Sequence, residues 1–250
     1  FDSKSLLMAV RDKKEGWSFF WLPKASHAYD GAHGWNTEWP RIRNVGTETD
    51  PDYLMTMHGM FWHFPGTFSV NNSKGIRPRS SYLKVVGDFA RWQDALVMGC
   101  DDSAEKEFLN LRKAKGNIGG PGQSNSNLWF MPLDGPDSFG PTYANGYVWL
   151  EDNVKADSVS DPFLFSGWEK RCCWIANKGG KACCFSFEID DDGTGEWKKS
   201  MEIVIKEGEA GHVEFPANMT GEWIRIRTSA STKATAAFVY APKEKRKSKS

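Results

Sequence analysis

Short runs of β-forming residues, cut at close intervals by Gly, Pro, Asn and Asp, dominate this chain and leave little room for helices. Trp17–Leu22, Tyr53–His58, Tyr82–Val86, Ala95–Cys100, Leu128–Met131 and Gly146–Leu150 are such runs in its first part. The best helical pattern is Ser103–Lys115, with a Ser cap, early Glu, late Lys and Arg, and Gly116 just beyond its end. Short and charged, it reads as a surface insertion. The pattern as a whole predicts an all-β fold.

Three strand ends echo one another. Phe20-Trp21-Leu22-Pro23, Phe61-Trp62-His63-Phe64-Pro65 and Leu128-Trp129-Phe130-Met131-Pro132 each place aromatic residues before a proline. Trp21 and Trp62 are 41 residues apart, and Trp62 and Trp129 are 67 apart, the longer gap holding the insertion. Four short strands in about 40–50 residues is the spacing of a β-propeller blade. Residues 1–152 are therefore expected to be a β-propeller-like region. Three blades cannot close a ring. Together with a first residue of Phe1, this reads as the C-terminal blades of a longer propeller.

Beyond Asp152 the character changes. Asn153–Asp161 is polar and linker-like. Strand candidates follow at Phe163–Trp168, Arg171–Asn177, Lys181–Ile189, Trp197–Ile205, His212–Phe215, Trp223–Arg227 and Thr235–Tyr240, with Gly-rich or acidic turns between several of them. Their even spacing predicts a small antiparallel, Ig-like β-sandwich over residues 160–242. Trp168, Trp174, Trp197 and Trp223 punctuate those strands and are expected in its core. Residues 243–250, KEKRKSKS, form a basic tail expected to be disordered. In a hairpin centred on Asn177-Lys178-Gly179-Gly180, Cys173 would face Cys183 and Cys172 would face Cys184. Alternation would then put the two pairs on opposite faces, which works against a four-thiolate zinc site. Free, partly buried thiols are the expectation, with a strained cross-strand disulfide as the alternative. The acidic run Asp190–Glu196 lacks the full ligand set of a calcium loop and reads as a hairpin turn.

Charge narrows the partners. The 32 basic and 32 acidic residues give a net charge of zero, which removes the simplest case for nucleic-acid binding. That zero is a sum of unlike parts, since subtracting the tail's net +4 leaves a body at −4. No apolar run approaches the roughly 18 residues of a membrane-spanning helix.

The chemistry-bearing residues cluster early. Four of the five histidines, His27, His33, His58 and His63, fall within 37 positions. Residues 26–43 also hold Tyr29, Asp30, Trp35, Glu38, Trp39, Arg41 and Arg43 in a Gly-punctuated segment, the kind of loop that carries function. His and Tyr suit proton transfer near neutral pH, Arg suits a carboxylate, and Trp offers a face for a sugar ring. His27, Tyr29, His33, Arg41 and His58 are the catalytic candidates. Trp35, Glu38, Arg43, Trp62, Gln123 and Asn125 are the substrate-binding candidates, the last two from the polar segment 116–127. His63 reads as structural. No cofactor is called for. A divalent metal on His27 and His33, with Asp30 or His58 as a third ligand, stands as an alternative.

The runs GWNTEWPRIR, HGMFWHFPGTFS and GDFARWQDALVMGCDDSA followed by GPGQSNSNLWF resemble uncharacterised secreted bacterial proteins with a β-propeller body and a C-terminal β-sandwich. Those are similar to carbohydrate-active propeller families, including polysaccharide lyases and glycoside hydrolases. The resemblance implies a polysaccharide or oligosaccharide partner and an extracellular or periplasmic location. It also implies working groups of the His, Tyr and Arg types. The expected function is a carbohydrate-active enzyme, a lyase or a hydrolase. The alternative is a non-catalytic glycan-binding or surface-scaffold protein.

Overall fold

In the computed structural model of the chain, the structure describes residues 5–27, 40–82, 86–100 and 127–243. Among them the protein is all-β, as expected, with eighteen strands in four sheets and one short 3₁₀ turn at Gly135–Asp137. In chain order the strands begin with β1 (Leu6–Asp12), β2 (Gly16–Leu22), β3 (Lys24–Ala25), β4 (Arg41–Asn44), β5 (Tyr53–Met57) and β6 (Met60–His63). They continue with β7 (Arg77–Ser81), β8 (Val86–Trp92), β9 (Ala95–Cys100), β10 (Asn127–Pro132), β11 (Ala144–Val154) and β12 (Phe163–Leu164). The last are β13 (Lys170–Asn177), β14 (Cys183–Asp190), β15 (Trp197–Ile205), β16 (Ala210–Phe215), β17 (Trp223–Thr228) and β18 (Thr232–Ala241). The sequence-predicted helix at 103–115, the polar segment 116–126 and most of the basic tail lie outside the described residues.

The chain forms two compact units, and neither is contiguous in sequence. One comprises Phe1–Ser26, Thr67–Ile76 and Tyr143–Ser250, and the other His27–Gly66 and Arg77–Thr142.

The first unit is a β-sandwich. One sheet runs β1-β2-β12-β17-β14-β15 and the other β16-β13-β18-β11-β3. Alternation along β18, and along β14 as far as Ile189, turns every second side chain inward. The aromatic rings meet between the sheets. Phe163 stacks on Phe238 with centroids 4.7 Å apart, and Phe187 meets Phe215 edge-on at 5.3 Å. The strands β13 to β18 lie close to where the sequence places them. The boundary expected at residue 152 does not. β11 pairs with β18 from Ala144 opposite Tyr240 to Val154 opposite Thr232, so it is a sandwich strand. Residues 153–161 are not a free linker either. Asp157 N donates to Thr228 O at 2.9 Å, Thr228 N to Ser158 O at 3.0 Å and Ser160 N to Ile226 O at 2.9 Å, which lays the segment along β17.

Segment 67–76 returns to this unit for specific reasons. Ser73 N donates to Gly193 O at 2.8 Å, and the buried Trp223 indole donates to Ser73 O at 3.1 Å. Gly75 N donates to Glu222 Oε2 at 3.1 Å, and Phe68 meets Phe20 edge-on at 5.6 Å.

The cysteine hairpin does not form. β13 pairs with β16 and β18, and β14 pairs with β15 and β17, so Cys173 and Cys183 belong to facing sheets. The connection between β13 and β14 is an arch held by the buried Asn177. Its Nδ2 donates to Lys181 O at 2.8 Å and Ile205 O at 3.0 Å, and its Oδ1 accepts from Gly179 N at 3.0 Å. All five cysteines are free thiols. Burial raises the Cys173, Cys172 and Cys184 thiols above their ordinary pKa, which keeps them protonated near neutral pH.

The second unit contains two antiparallel meanders, β4-β5-β6-β7 and β10-β9-β8. Their sequential strand order is that of propeller blades. Among the described residues, however, this unit has two sheets sharing one core, not a ring. Leu54 and Phe61 of the first sheet cluster with Val86, Phe89, Leu96, Met98 and Met131 of the second. Arg79 on β7 pins two loops, with Nε and Nη2 bonded to the two Asp137 oxygens at 2.8 and 2.9 Å and Nη1 to Asp52 at 2.9 Å. The Arg79 hydrogen bonds hold the Asp137 carboxyl below its ordinary pKa. A depressed carboxylate stabilises the fold above its unfolded pKa, near 4, and loses that contribution as the pH falls through the lowered value. Arg79→Met should therefore lower the melting temperature at pH 7 and flatten its fall below about pH 4. A wild-type acid slope in that variant would remove this pair from the account.

Candidate functional site

Six sequence-predicted site residues, Tyr29, His33, Trp35, Glu38, Gln123 and Asn125, lie outside the described residues. The other five can be placed. His27 is exposed, and its Nε2 sits 2.7 Å from the Tyr82 carbonyl. A carbonyl only accepts, so Nε2 carries the hydrogen of this bond. Arg41 and Arg43 project from the same side of β4 toward Asp88 on β8, with Arg43 Nη2 at 2.9 Å and Arg41 Nε at 3.9 Å. Asp88 thus already occupies the position at which these arginines would hold a ligand carboxylate.

His58 and Trp62 differ from expectation. Met57 pairs with Met60, so His58-Gly59 is a two-residue hairpin loop, with φ of 45° and 80°. Positive φ at both positions is the type I′ pattern that matches strand twist. His58 is 3% exposed and serves as a buried turn residue rather than a solvent-facing acid or base. Trp62 is 0% exposed, so no face of its indole is available to a sugar. It lies on β6, an interior strand of its sheet. The placed candidates thus have separate settings, Arg41 and Arg43 at Asp88, His27 at the Tyr82 carbonyl, and His58 and Trp62 buried. Among the described residues, no group of three His, Cys, Asp or Glu side chains is placed to hold a metal ion.

A different set of aromatic residues faces solvent in the sandwich unit. A groove of about 300 Å³ is lined by Trp17 and Phe19 of β2, Val70 and Ser73, Asp161, and Trp197 at the start of β15. On β2, Phe20 and Leu22 are buried while Trp17 and Phe19 are 60% and 41% exposed. Trp197 is half-buried, with the Arg225 guanidinium 4.2 Å from its ring centroid. That cation is itself fixed. Glu188 accepts from Arg225 Nε at 2.7 Å and from Arg227 Nε at 2.9 Å. Burial alone would raise the Glu188 pKa, but the hydrogen bonds from Arg227 and Arg225 outweigh it, and the group lies below the ordinary carboxylate range. Asp161 is exposed, and its Oδ2 accepts from the Trp21 indole at 3.0 Å.

The acidic turn beside this groove is structural. Asp190 Oδ1 accepts from Gly193 N and Thr194 N at 3.0 and 3.2 Å, and Oδ2 from Gly195 N at 2.9 Å. Its oxygens are spent on backbone amides, as a hairpin turn requires.

Trp197 was expected in the core with Trp168, Trp174 and Trp223. Trp168 and Trp223 are core residues, at 4% and 0% exposure, whereas Trp197 lines the groove and Trp174 is 52% exposed. Trp17 stood in an expected strand with no site assigned to it. The signal for it was present in Gly16-Trp17-Ser18-Phe19-Phe20-Trp21-Leu22, where aromatic residues occupy both faces of one strand and only one face can be core.

No protein-family model and no curated protein matches the chain. Among solved structures, the crystal structure of PirA is 16% identical with a TM-score of 0.24, over 39% of this chain and 83% of that one. A structure described as "CBM4 structure and function" is 8% identical with a TM-score of 0.18, over 63% of this chain and 74% of that one. At such scores neither likeness bears on fold or function.

Proposed function

We propose that this protein binds carbohydrate through the groove of the sandwich unit. The observation that carries the reading is the pair of indoles at one groove, Trp17 exposed and Trp197 held against the Arg225 guanidinium. A pyranose ring presents apolar C–H faces and a rim of hydroxyls. An indole supplies a flat apolar face with little entropy to lose, and an indole fixed in advance loses less still. Asp161 lines the same groove and can accept from sugar hydroxyls. The acidic carboxylate favours a neutral sugar over a uronate in this groove. Such a partner suits action outside the cell or in the periplasm. Lyase or hydrolase chemistry on a bound glycan is the fuller form of this reading. Two of the groups expected for it, Tyr29 and His33, lie outside the described residues.

Affinity electrophoresis of the whole chain in gels containing mixed-linkage β-glucan, xylan or polygalacturonate tests the binding. At least one neutral glycan should retard the wild type. Trp17→Ala with Trp197→Ala should weaken that retardation by roughly tenfold or more, about 1.4 kcal/mol. Equal mobility shifts for the wild type and the double variant, both folded, would remove the groove from the site.

A further inference from the structure

The geometry points to a second carbohydrate-binding surface on the outer face of the five-stranded sheet, one that takes a linear neutral polysaccharide lying across the strands. The choice of ligand class rests on the proposed function, but the surface shares no residue with the groove. Strand register builds it. Trp174 on β13 stands opposite His212 on β16 and opposite Ala237 on β18, and Ala237 stands opposite Tyr147 on β11. One row across four strands therefore reads imidazole, indole, methyl, phenol. Strands lie about 4.8 Å apart, so Trp174 and Tyr147 rise roughly 10 Å apart on either side of a floor made by Ala237. This is a shallow slot with two aromatic walls.

Each part is placed to serve. Trp174 is 52% exposed, and its ring is steadied by His212, with centroids 4.7 Å apart and planes 31° apart. The neighbouring row places Glu214 on β16 and Asn145 on β11, with the largely buried Lys24 beyond it on β3. Glu214 and Asn145 supply an acceptor and an amide to the hydroxyls of a chain crossing the sheet. The alternatives fit less well. Within the strands of this face, Trp174 and Val239 are the large apolar side chains that reach high exposure, a small area for a protein partner. The polar side chains beside the slot include His212 and Glu214, 4.0 Å apart, and Asn145, and the lysine opposite Asn145, Lys24, is only 6% exposed, so the slot presents little basic field to a polyanion. The backbones of β13, β18 and β11 are paired on both edges, so no peptide strand can be added there.

The same gels test this surface separately. Trp174→Ala should weaken retardation by mixed-linkage β-glucan or xylan by roughly threefold or more, and Trp174→Phe should keep most of it. Thermal unfolding should be unchanged, because the side chain is exposed. Trp174→Ala combined with Trp17→Ala should bring the protein close to unretarded mobility. If a folded Trp174→Ala protein is retarded like the wild type while Trp17→Ala is impaired, this surface is refuted and the groove stands. If the reverse holds, the groove is refuted and this surface stands. Retardation by polygalacturonate alone would overturn the neutral-chain assignment, and no retardation in any gel would overturn both sites.

Discussion

Trp62→Ala is expected to destabilise the unit that holds β4 to β10 by about 3–5 kcal/mol, the cost of emptying a fully buried indole site. Trp62 sits next to Phe61 on β6, and both are 0% exposed. Successive strand residues point to opposite faces, so this sheet is covered on both sides at β6. The indole Nε1 also donates to Met57 O, at the foot of the His58-Gly59 turn. Trp92 in the same unit provides the contrast. It is 66% exposed, and Trp92→Ala should change stability by no more than about 0.5 kcal/mol. Equilibrium denaturation of the two variants, followed by fluorescence and circular dichroism, measures the difference. A Trp62→Ala protein as stable as the wild type would return this residue to the list of ligand-stacking candidates.

The two fates of Trp62 show what the sequence carried and what it did not. Its neighbours announce a strand, but period-2 alternation cannot say which face of a strand meets solvent when both faces are apolar. Trp174 shows the same ambiguity from the other side. Cys173 and Ile175 flank it and point inward, so a tryptophan that resembles core is the outward residue. Where alternation is one-sided the reading was close. Ile203 and Ile205 alternate with Glu202, and Ile224 and Ile226 alternate with Arg225 and Arg227, and these residues fall in β15 and β17. The strands that went unread include β4, RIRN, and β7, RPRSS, the outer strands of their sheet. An edge strand needs less apolar surface and tolerates proline, so it leaves little pattern. The division into units was less legible still. It depends on segment 67–76 returning to the sandwich through contacts such as Ser73 with Gly193, 120 residues apart. No local composition records such a contact. The groove depends on the same return, because Val70 and Ser73 form one wall and Trp17 and Trp197, 180 positions apart in sequence, form others.

Gly193→Ala should be the most damaging single-methyl change in that region, costing about 3 kcal/mol, whereas Gly195→Ala two residues away should cost about 1 kcal/mol. Both glycines sit in the turn between β14 and β15 with left-handed backbone, φ of 73° and 83°. The strain of placing a side chain on such a backbone is therefore common to both. Their surroundings differ. A Cβ on Gly195 meets nothing within 4 Å, but one on Gly193 would lie 2.5 Å from Lys74 N and 2.9 Å from Ser73 C. Backbone atoms cannot swing aside as a flexible side chain can, so segment 67–76 would have to move as a piece. That movement breaks the Ser73 N to Gly193 O bond and takes the Ser73 carbonyl away from the Trp223 indole. Trp223 is 0% exposed, and a buried N–H left without its acceptor costs about 1–3 kcal/mol. Denaturant midpoints of the two variants isolate this contact, since backbone strain cancels between them. Equal losses would mean that the segment yields freely. A larger loss at Gly193, with weakened glycan retardation because Ser73 and Val70 have shifted, would show that one backbone contact supports both the sandwich and its groove.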